Sequence, residues 1–517
     1  MQILLKILLC FAAGLLGAAS MPDAGIGKIT WNYAPYTFPL FALALYCLYT
    51  AIRDHASRKT EAALFAYAWA FGYFLLHLNW IGNALLVDGN PYAWAYPLAV
   101  AGLPALLALF WAVGGAIAMP LLHRASTSAD PFVFAAVFAI TEWTRGHALT
   151  GFPWGLSGMF WIDTPLMIQV LSLIGTYGLT LLTMIWALGL MLLATSARKY
   201  IMFILLATAS AATTFIIGLD RIDTRMISTG TLQTLLVQAN IPQSEKWDSD
   251  RMMDHFGAHI ELSARPEQIK DQPTMIVWPE TALPPDLINA PVVRASIAKV
   301  LATYPSGSFL VTGALHATGN PRSPEYYNSV FVYDSTGTPY KVYDKHHLVP
   351  FGEYIPFQKY IPLEPVARFI GMQSGPGPKT VVLPNMPSFS PLICYEAIFG
   401  NAAQPANADY PAQLLANFTN DSWYGDTAGP RQHLALARAR SIENGLPMIR
   451  AAGTGISAII DDHGTIISSA PYGRPMRLLA TIPVPYPPQT LYHTYGDIPF
   501  GVLSLIFLLY AYTRKNK

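Results

Sequence analysis

Apolar residues follow two different rhythms along this chain. Up to about residue 218 they form long runs separated by short polar or aromatic connectors; beyond it they form strand-length runs flanked by charges and prolines. A helix needs roughly 20 mostly apolar residues to cross the bilayer core. Eight runs are candidates: Ile3–Ala19, Ala34–Ile52, Ala62–Ile81, Ala95–Leu122, Phe132–Trp143, Met167–Ala194, Tyr200–Gly218 and Pro499–Tyr512. The fifth is short and its edges are poorly marked. Glycine, small and aromatic residues are frequent in these runs, as close packing between membrane helices requires.

After Gly218 the pattern predicts strands at Thr234–Gln238, Met275–Trp278, Phe309–Thr312, Ser329–Tyr333, Phe389–Cys394, Gln413–Ala416 and Ile456–Ile460. Helical periodicity falls between several of them, at Asp250–Ala264, Val292–Thr303 and Arg431–Asn444. Strands alternating with helices indicate an α/β domain. The expected organisation is a membrane bundle of about seven helices over 1–219, an α/β domain over 220–495, and a last membrane helix with a basic tail over 496–517.

Composition agrees with membrane spans. The chain is 53% hydrophobic and 12% charged, against about 25% charged in an average soluble domain. A net charge of +1 gives no argument for a nucleic-acid partner. Positive residues set the orientation. Arg53, Arg58 and Lys59 follow the second run, Arg124 the fourth, Arg198 and Lys199 the sixth, and Arg514, Lys515 and Lys517 the eighth; the alternate connectors hold little beyond Lys28 and Arg145. Positive charge collects on the cytoplasmic side, so Leu219–Ile498 is expected beyond the outer face. Met1–Ser20 also reads as a cleaved signal peptide, with Lys6, an apolar stretch and a small-residue end.

Few polar residues accompany the bundle. Glu142, Trp143 and Arg145 close the fifth run, before the aromatic turn Gly151-Phe152-Pro153-Trp154-Gly155. That stretch reads either as a headgroup-level anchor or as part of a lipid entrance, and Glu142 and Arg145 either pair or do chemistry. Of three cysteines, Cys10 and Cys47 lie in apolar runs and only Cys394 lies far from them. Their spacing suggests neither a disulfide framework nor a zinc site. A lone thiol either packs as a small hydrophobe or reacts.

Three clusters in the α/β part carry chemistry. Trp278-Pro279-Glu280-Thr281 puts a carboxylate at a strand end, where sites gather in open α/β sheets. Tyr343-Asp344-Lys345-His346-His347-Leu348-Val349-Pro350-Phe351-Gly352-Glu353-Tyr354 mixes a lysine, two histidines and acids. Adjacent histidines point different ways on regular backbone, so no metal is expected there. Leu392-Ile393-Cys394-Tyr395-Glu396 places the distal thiol at a strand-to-turn junction, which exposes a nucleophile above a sheet. Taken alone, Glu280 is a capping or turn acid and Lys345 a surface lysine.

Together the clusters resemble the nitrilase (carbon–nitrogen hydrolase) superfamily, whose triad is Glu, Lys and Cys in that chain order, on Glu280, Lys345 and Cys394. With the seven preceding runs and the one that follows, the whole chain resembles the apolipoprotein N-acyltransferase family of bacterial envelopes. Further matches are Gln238–Gln243, Lys246-Trp247 and Asn420–Gly425. The resemblance implies an αββα sandwich and no cofactor. It implies a phospholipid acyl donor, a diacylglyceryl-modified lipoprotein acceptor, and a bacterial inner membrane with the catalytic domain on the periplasmic side. It also implies supporting roles for Trp247, Glu353, Tyr395 and Glu396.

In that chemistry Glu280 would take the thiol proton, a kind of help contributing about 10²–10⁴-fold. Lys345, paired with a carboxylate such as Glu353, would favour the thiolate and the oxyanion, and the N–H of Tyr395 would be the second oxyanion donor. The aromatic- and proline-rich segment Phe351–Ile370, with Phe351, Phe357 and Phe369, is expected to form an apolar lid that admits acyl chains and excludes water. Two rivals use the same residues differently: a membrane-tethered amidase with water as acceptor, and a non-catalytic scaffold.

Overall fold

The computed structural model describes residues 2–87, 90–126, 128–223, 228–320, 322–356, 371–403, 411–485 and 490–514. The first seven apolar runs each hold a helix: α1 (Gln2–Ser20), α2 (Phe38–Thr50), α3 (Lys59–His77), α4 (Tyr96–Arg124), α5 (Asp130–His147) and α6 (Leu171–Asp223). The sixth and seventh runs share α6, which breaks at Ser196 (φ −150°) and Tyr200 (φ −117°), on the polar connector between them. The fifth run extends beyond its apolar stretch at both ends. Its flanking charges are buried and paired: Asp130 accepts from Tyr49 Oη at 2.6 Å and Arg53 Nε at 2.5 Å, and Arg145 pairs with Glu142.

Close helix approach explains the glycines of α1 and α3. A Cβ on Gly14 would lie 1.9 Å from the Trp69 carbonyl oxygen, and one on Gly72 would lie 2.4 Å from that of Phe11. Outward faces are apolar. Leu106, Leu109, Val113 and Ile117 recur at helical spacing on α4, each at least 51% exposed. Such a stripe is costly in water and costs nothing in lipid. Among the described residues three helices, Gln2–Ser20, Ala93–Arg124 and Leu171–Asp223, are long and apolar enough to cross a membrane; Lys59–His77 and Asn79–Leu86, bent by 49° to each other, make a fourth if taken as one span.

The α/β part holds two sheets. One has the order β11-β1-β2-β3-β4-β5, from β1 (Ser228–Gln238), β2 (Thr274–Leu283), β3 (Phe309–Asn320), β4 (Ser323–Tyr333), β5 (Pro339–Asp344) and β11 (Met476–Pro485). The other has the order β10-β9-β8-β7-β6, from β6 (Phe389–Ile393), β7 (Leu414–Thr419), β8 (Met448–Ala452), β9 (Ser457–Ile460) and β10 (Ile466–Ala470). The central pairs β1–β2, β2–β3, β6–β7 and β7–β8 are parallel. Their inner faces meet in one core, with Leu236, Val277 and Val311 against Ile393, Ala416 and Ile449. Outside the first sheet, α7 (Met252–Leu262) and α8 (Pro291–Leu301) pack through Phe256, Val293 and Ile297. Outside the second lies α9 (Ala428–Asn444). The layers are therefore helix, sheet, sheet, helix.

α9 is unusual for an outer helix. Its residues are almost all buried, because its far side is covered by the membrane bundle rather than by water. Gln432 accepts from Trp80 Nε1 (3.0 Å) and Trp154 Nε1 (2.8 Å). Arg440 pairs with Glu443 at 2.8 Å, and Glu443 accepts from the Thr176 hydroxyl at 2.6 Å and its N–H at 2.9 Å. The last helix, α10 (Ile498–Thr513), returns to pack on α5 and α6 through Phe507 and Tyr510 against Phe132.

Candidate active site

Cys394 opens a 3₁₀ turn directly after β6, with φ 49°. An L-residue in this left-handed region costs about 1–2 kcal/mol, so something must hold it there. Glu396, fully buried, does so. Its carboxylate accepts from the N–H of Ile393 (2.7 Å), His346 (2.8 Å) and His347 (3.2 Å) and from the Tyr343 hydroxyl (3.2 Å). Burial pushes this carboxyl up, but His346 beside it and the Ile393 N–H outweigh burial and bring it below the ordinary range. Glu396 thus ties the turn of Cys394 to the loop of Lys345.

Glu280 lies near the end of β2, where the β2–β3 register shifts between Trp278 and Leu283 and Thr281 takes φ 49°. The close neighbour is Gly313 of β3, whose Cβ would lie 2.4 Å from the Glu280 Cα. Any side chain there would push the carboxylate out of place. Lys345 follows β5, and its N–H donates to the Asn328 carbonyl at 2.9 Å. Its Nζ donates to Glu353 Oε1 at 2.8 Å, and the other oxygen of Glu353 accepts from the Val349 N–H at 2.8 Å. Asn328 Nδ2 bridges the two acids, 2.7 Å from Glu280 Oε1 and 3.0 Å from Glu353 Oε1.

Glu280, Lys345 and Cys394 therefore converge in one buried site, at 6%, 1% and 7% exposure. Burial raises the Glu280 carboxyl and the Lys345 neighbour opposes it without cancelling it. Burial alone would discharge Lys345, but Glu353 and Glu280 hold it above the ordinary lysine range. The Cys394 thiol is pushed up to about 12 by burial and by Glu280, against the pull of Lys345 and the Thr419 hydroxyl beside it. Burial thus disfavours the thiolate of Cys394 and the carboxylate of Glu280, while Lys345 is held as a cation beside them.

One expectation follows directly. The rate of Cys394 alkylation by iodoacetamide, read by peptide mass, should climb about tenfold per pH unit past about pH 10, where an ordinary thiol of pKa about 8.5 has levelled off. A plateau near pH 9 would show the thiolate already stabilised at rest.

Four side chains at or behind the site escaped the sequence reading of roles. Asn328 is a polar residue in mid-strand, where asparagine is disfavoured, and that was its only signal. Lys246 donates to the Glu280 carbonyl at 3.0 Å and is lowered by burial to about 8. It lines, with Trp247, His255 and His259, a cavity that reaches Glu280. Thr419 and His433, from β7 and α9, stand behind the thiol. Trp247 is placed at that cavity, Glu353 on Lys345, and Glu396 under the turn.

Tyr395 points the other way, into the bundle, and donates to the Gly151 carbonyl at 2.8 Å. The aromatic turn after α5 is largely enclosed, with Gly151, Pro153 and Trp154 buried and Phe152 and Gly155 half-buried. It is a buried dock, where His347 Nε2 contacts the Thr150 carbonyl (2.8 Å) and Arg145 donates to the carbonyls of Phe152 and Trp154. Glu142 and Arg145 pair in support of it. Of the residues expected to form a lid, Phe351 is 49% exposed with φ 61°; Phe357 and Phe369 lie outside the described residues.

Comparison with known proteins agrees with this geometry. The Carbon-nitrogen hydrolase family matches residues 236–486, and the Apolipoprotein N-acyltransferase N-terminal domain matches residues 13–189. The chain is 36% identical over 528 residues to an apolipoprotein N-acyltransferase of Rhodopseudomonas palustris, covering 99% of this chain and 95% of that one. It is 36% identical over 494 residues to one of Agrobacterium fabrum, covering 92% and 90%. With both halves matched in order and near full length, the chain belongs to the apolipoprotein N-acyltransferase family of membrane enzymes.

Proposed function

We propose that the chain transfers a fatty acyl chain from a phospholipid to the α-amino group of the diacylglyceryl-cysteine that begins a lipoprotein, in two half-reactions. In the first, Glu280 takes the Cys394 proton and sulfur attacks the ester carbonyl. The oxyanion is met by Lys345 and the Tyr395 N–H. The C–O bond breaks, and the lysophospholipid leaves with the proton held by Glu280. In the second, the amine attacks the thioester, Glu280 accepts a proton from nitrogen, and the thiol is regenerated as the amide forms. A thiolate leaves more readily than an amine, so this order runs downhill.

The observation that carries the reading is the convergence of Glu280, Lys345 and Cys394 in one buried site directly on a membrane bundle. A hydrolase would need only one helix as a tether. The dock of Tyr395 and His347 on the turn after α5 supports delivery of substrate from lipid. The positive-inside pattern supports a bacterial inner membrane with the α/β part on the periplasmic side.

The full-length protein, incubated with a phospholipid carrying a labelled acyl chain, should hold the label on Cys394 in a bond cleaved by hydroxylamine. Adding a diacylglyceryl-cysteine peptide should move the label to the peptide. Release of labelled free fatty acid at the same rate with and without peptide would favour a hydrolase and sink the proposal.

A further inference from the structure

The first half-reaction needs the Tyr395 N–H aimed at the developing oxyanion. That N–H belongs to the same planar peptide as the Cys394 carbonyl, and in a trans peptide the two point in opposite directions. Whatever grips the carbonyl therefore aims the N–H. The grip comes from α9. Nε2 of His433 lies 3.2 Å from the Cys394 carbonyl oxygen; a carbonyl only accepts, so Nε2 donates when it carries a proton, and with the Asp421 carboxylate accepting at Nδ1 the ring then holds a proton on each nitrogen, as an imidazolium between two acceptors.

The imidazole is itself braced. Its Nδ1 lies 2.8 Å from Asp421 Oδ1, which also accepts from the Thr419 hydroxyl at 2.9 Å. Arg450 Nη2 donates to Asp421 Oδ2 at 2.6 Å and lies 3.4 Å from His433 Nδ1. His433, Asp421 and Arg450 are all 0% exposed and come from α9, the turn after β7, and β8. Charges this deep are costly unless geometry and partners are excellent. Neither half-reaction uses this network to bind or to move a proton, so its retention calls for another role.

We infer that His433 is a positioning residue for the oxyanion site, fixing the Cys394–Tyr395 peptide so that its N–H faces the reacting carbonyl. A hydrogen bond on the carbonyl also polarises the amide and makes its N–H the stronger donor. The same bond adds to the hold of Glu396 on the left-handed backbone at Cys394. This inference rests on the acyl-transfer reading above.

The test uses the full-length protein and two substitutions. His433→Leu removes the donor; His433→Gln keeps an N–H within reach of the carbonyl. An oxyanion donor is worth about 10²–10³ in rate. Acylation of Cys394 by p-nitrophenyl palmitate should therefore fall about 100-fold in His433→Leu, with KM within about threefold, and recover at least about tenfold in His433→Gln. Alkylation by iodoacetamide, a displacement with no oxyanion, should stay within about threefold of the parent in both.

Equal losses of alkylation and acylation would mean that His433 acts on the thiol or the fold, and would overturn the inference. So would near-parental acylation in His433→Leu. If the leucine variant does not fold, His433→Asn, which reaches Asp421 but not the carbonyl, takes its place beside His433→Gln with the same expected contrast. Acylation of the unsubstituted protein by the activated ester but not by phospholipid would count against the donor assigned above, and would leave the contrast between His433→Leu and His433→Gln as the test of the peptide's aiming.

Discussion

Cys394→Ala should yield a protein that never carries a fatty acyl mass. The parent chain, purified from membranes and weighed intact, should show an added acyl group on part of the population, and the variant none. Transfer to a diacylglyceryl-cysteine peptide should fall by at least about 10³-fold, the scale expected when a nucleophile acting within a unit is removed. The fold should survive, because the change removes one sulfur from a turn held by Glu396 and His433 and not by the thiol. Glu280 and Lys345 would remain, but neither can form the covalent intermediate. Residual transfer within about tenfold of the parent would mean that amine attacks phospholipid directly and that the thioester is dispensable.

Glu396→Gln should cost both stability and activity. Five donors converge on the carboxylate: three backbone N–H groups, the Tyr343 hydroxyl and His346 Nδ1, the last at 2.7 Å. An amide offers one oxygen and sets an NH₂ against donors that then have no acceptor. Removing one partner of a buried charged network typically costs about 3–5 kcal/mol, which thermal unfolding in detergent would register. The effect carries a pH signature. The Glu396 carboxyl is depressed in the folded protein, so its contribution is present above the ordinary value of 4.5 and is lost as pH falls through the lower folded value. The gap between parent and variant should hold at neutral pH and close in acid. A gap that is constant with pH would assign the loss to packing alone.

Local patterning disclosed the membrane helices and most of the central parallel strands because their runs are predominantly apolar. It missed β8, where Arg450 interrupts the run. That charge is tolerated only because Asn417 and Asp421 reach it from another strand and its turn. It missed β5, β10 and β11 because edge strands alternate with solvent and mix polar residues or proline into the pattern. It shortened the fifth run because Asp130 and Arg145 look like loop charges until Arg53 and Glu142 are seen beside them. The triad was legible through motifs. What positions it was not: Asn328, His433 and Gly313 act across long sequence separations, and local pattern, even the mid-strand asparagine, does not name their partners.

α9 has no water-facing side, and this governs how the chain can come to exist. Cut away from the bundle, the segment would present Gln432, Arg440 and Glu443 to solvent together with the apolar residues between them, and would forfeit Trp80, Trp154 and Thr176 as partners. Tyr395, beside the reactive sulfur, would lose its anchor in the same stroke. No soluble fragment should therefore retain a competent thiol, and reactivity should appear only after the spans have been inserted and assembled.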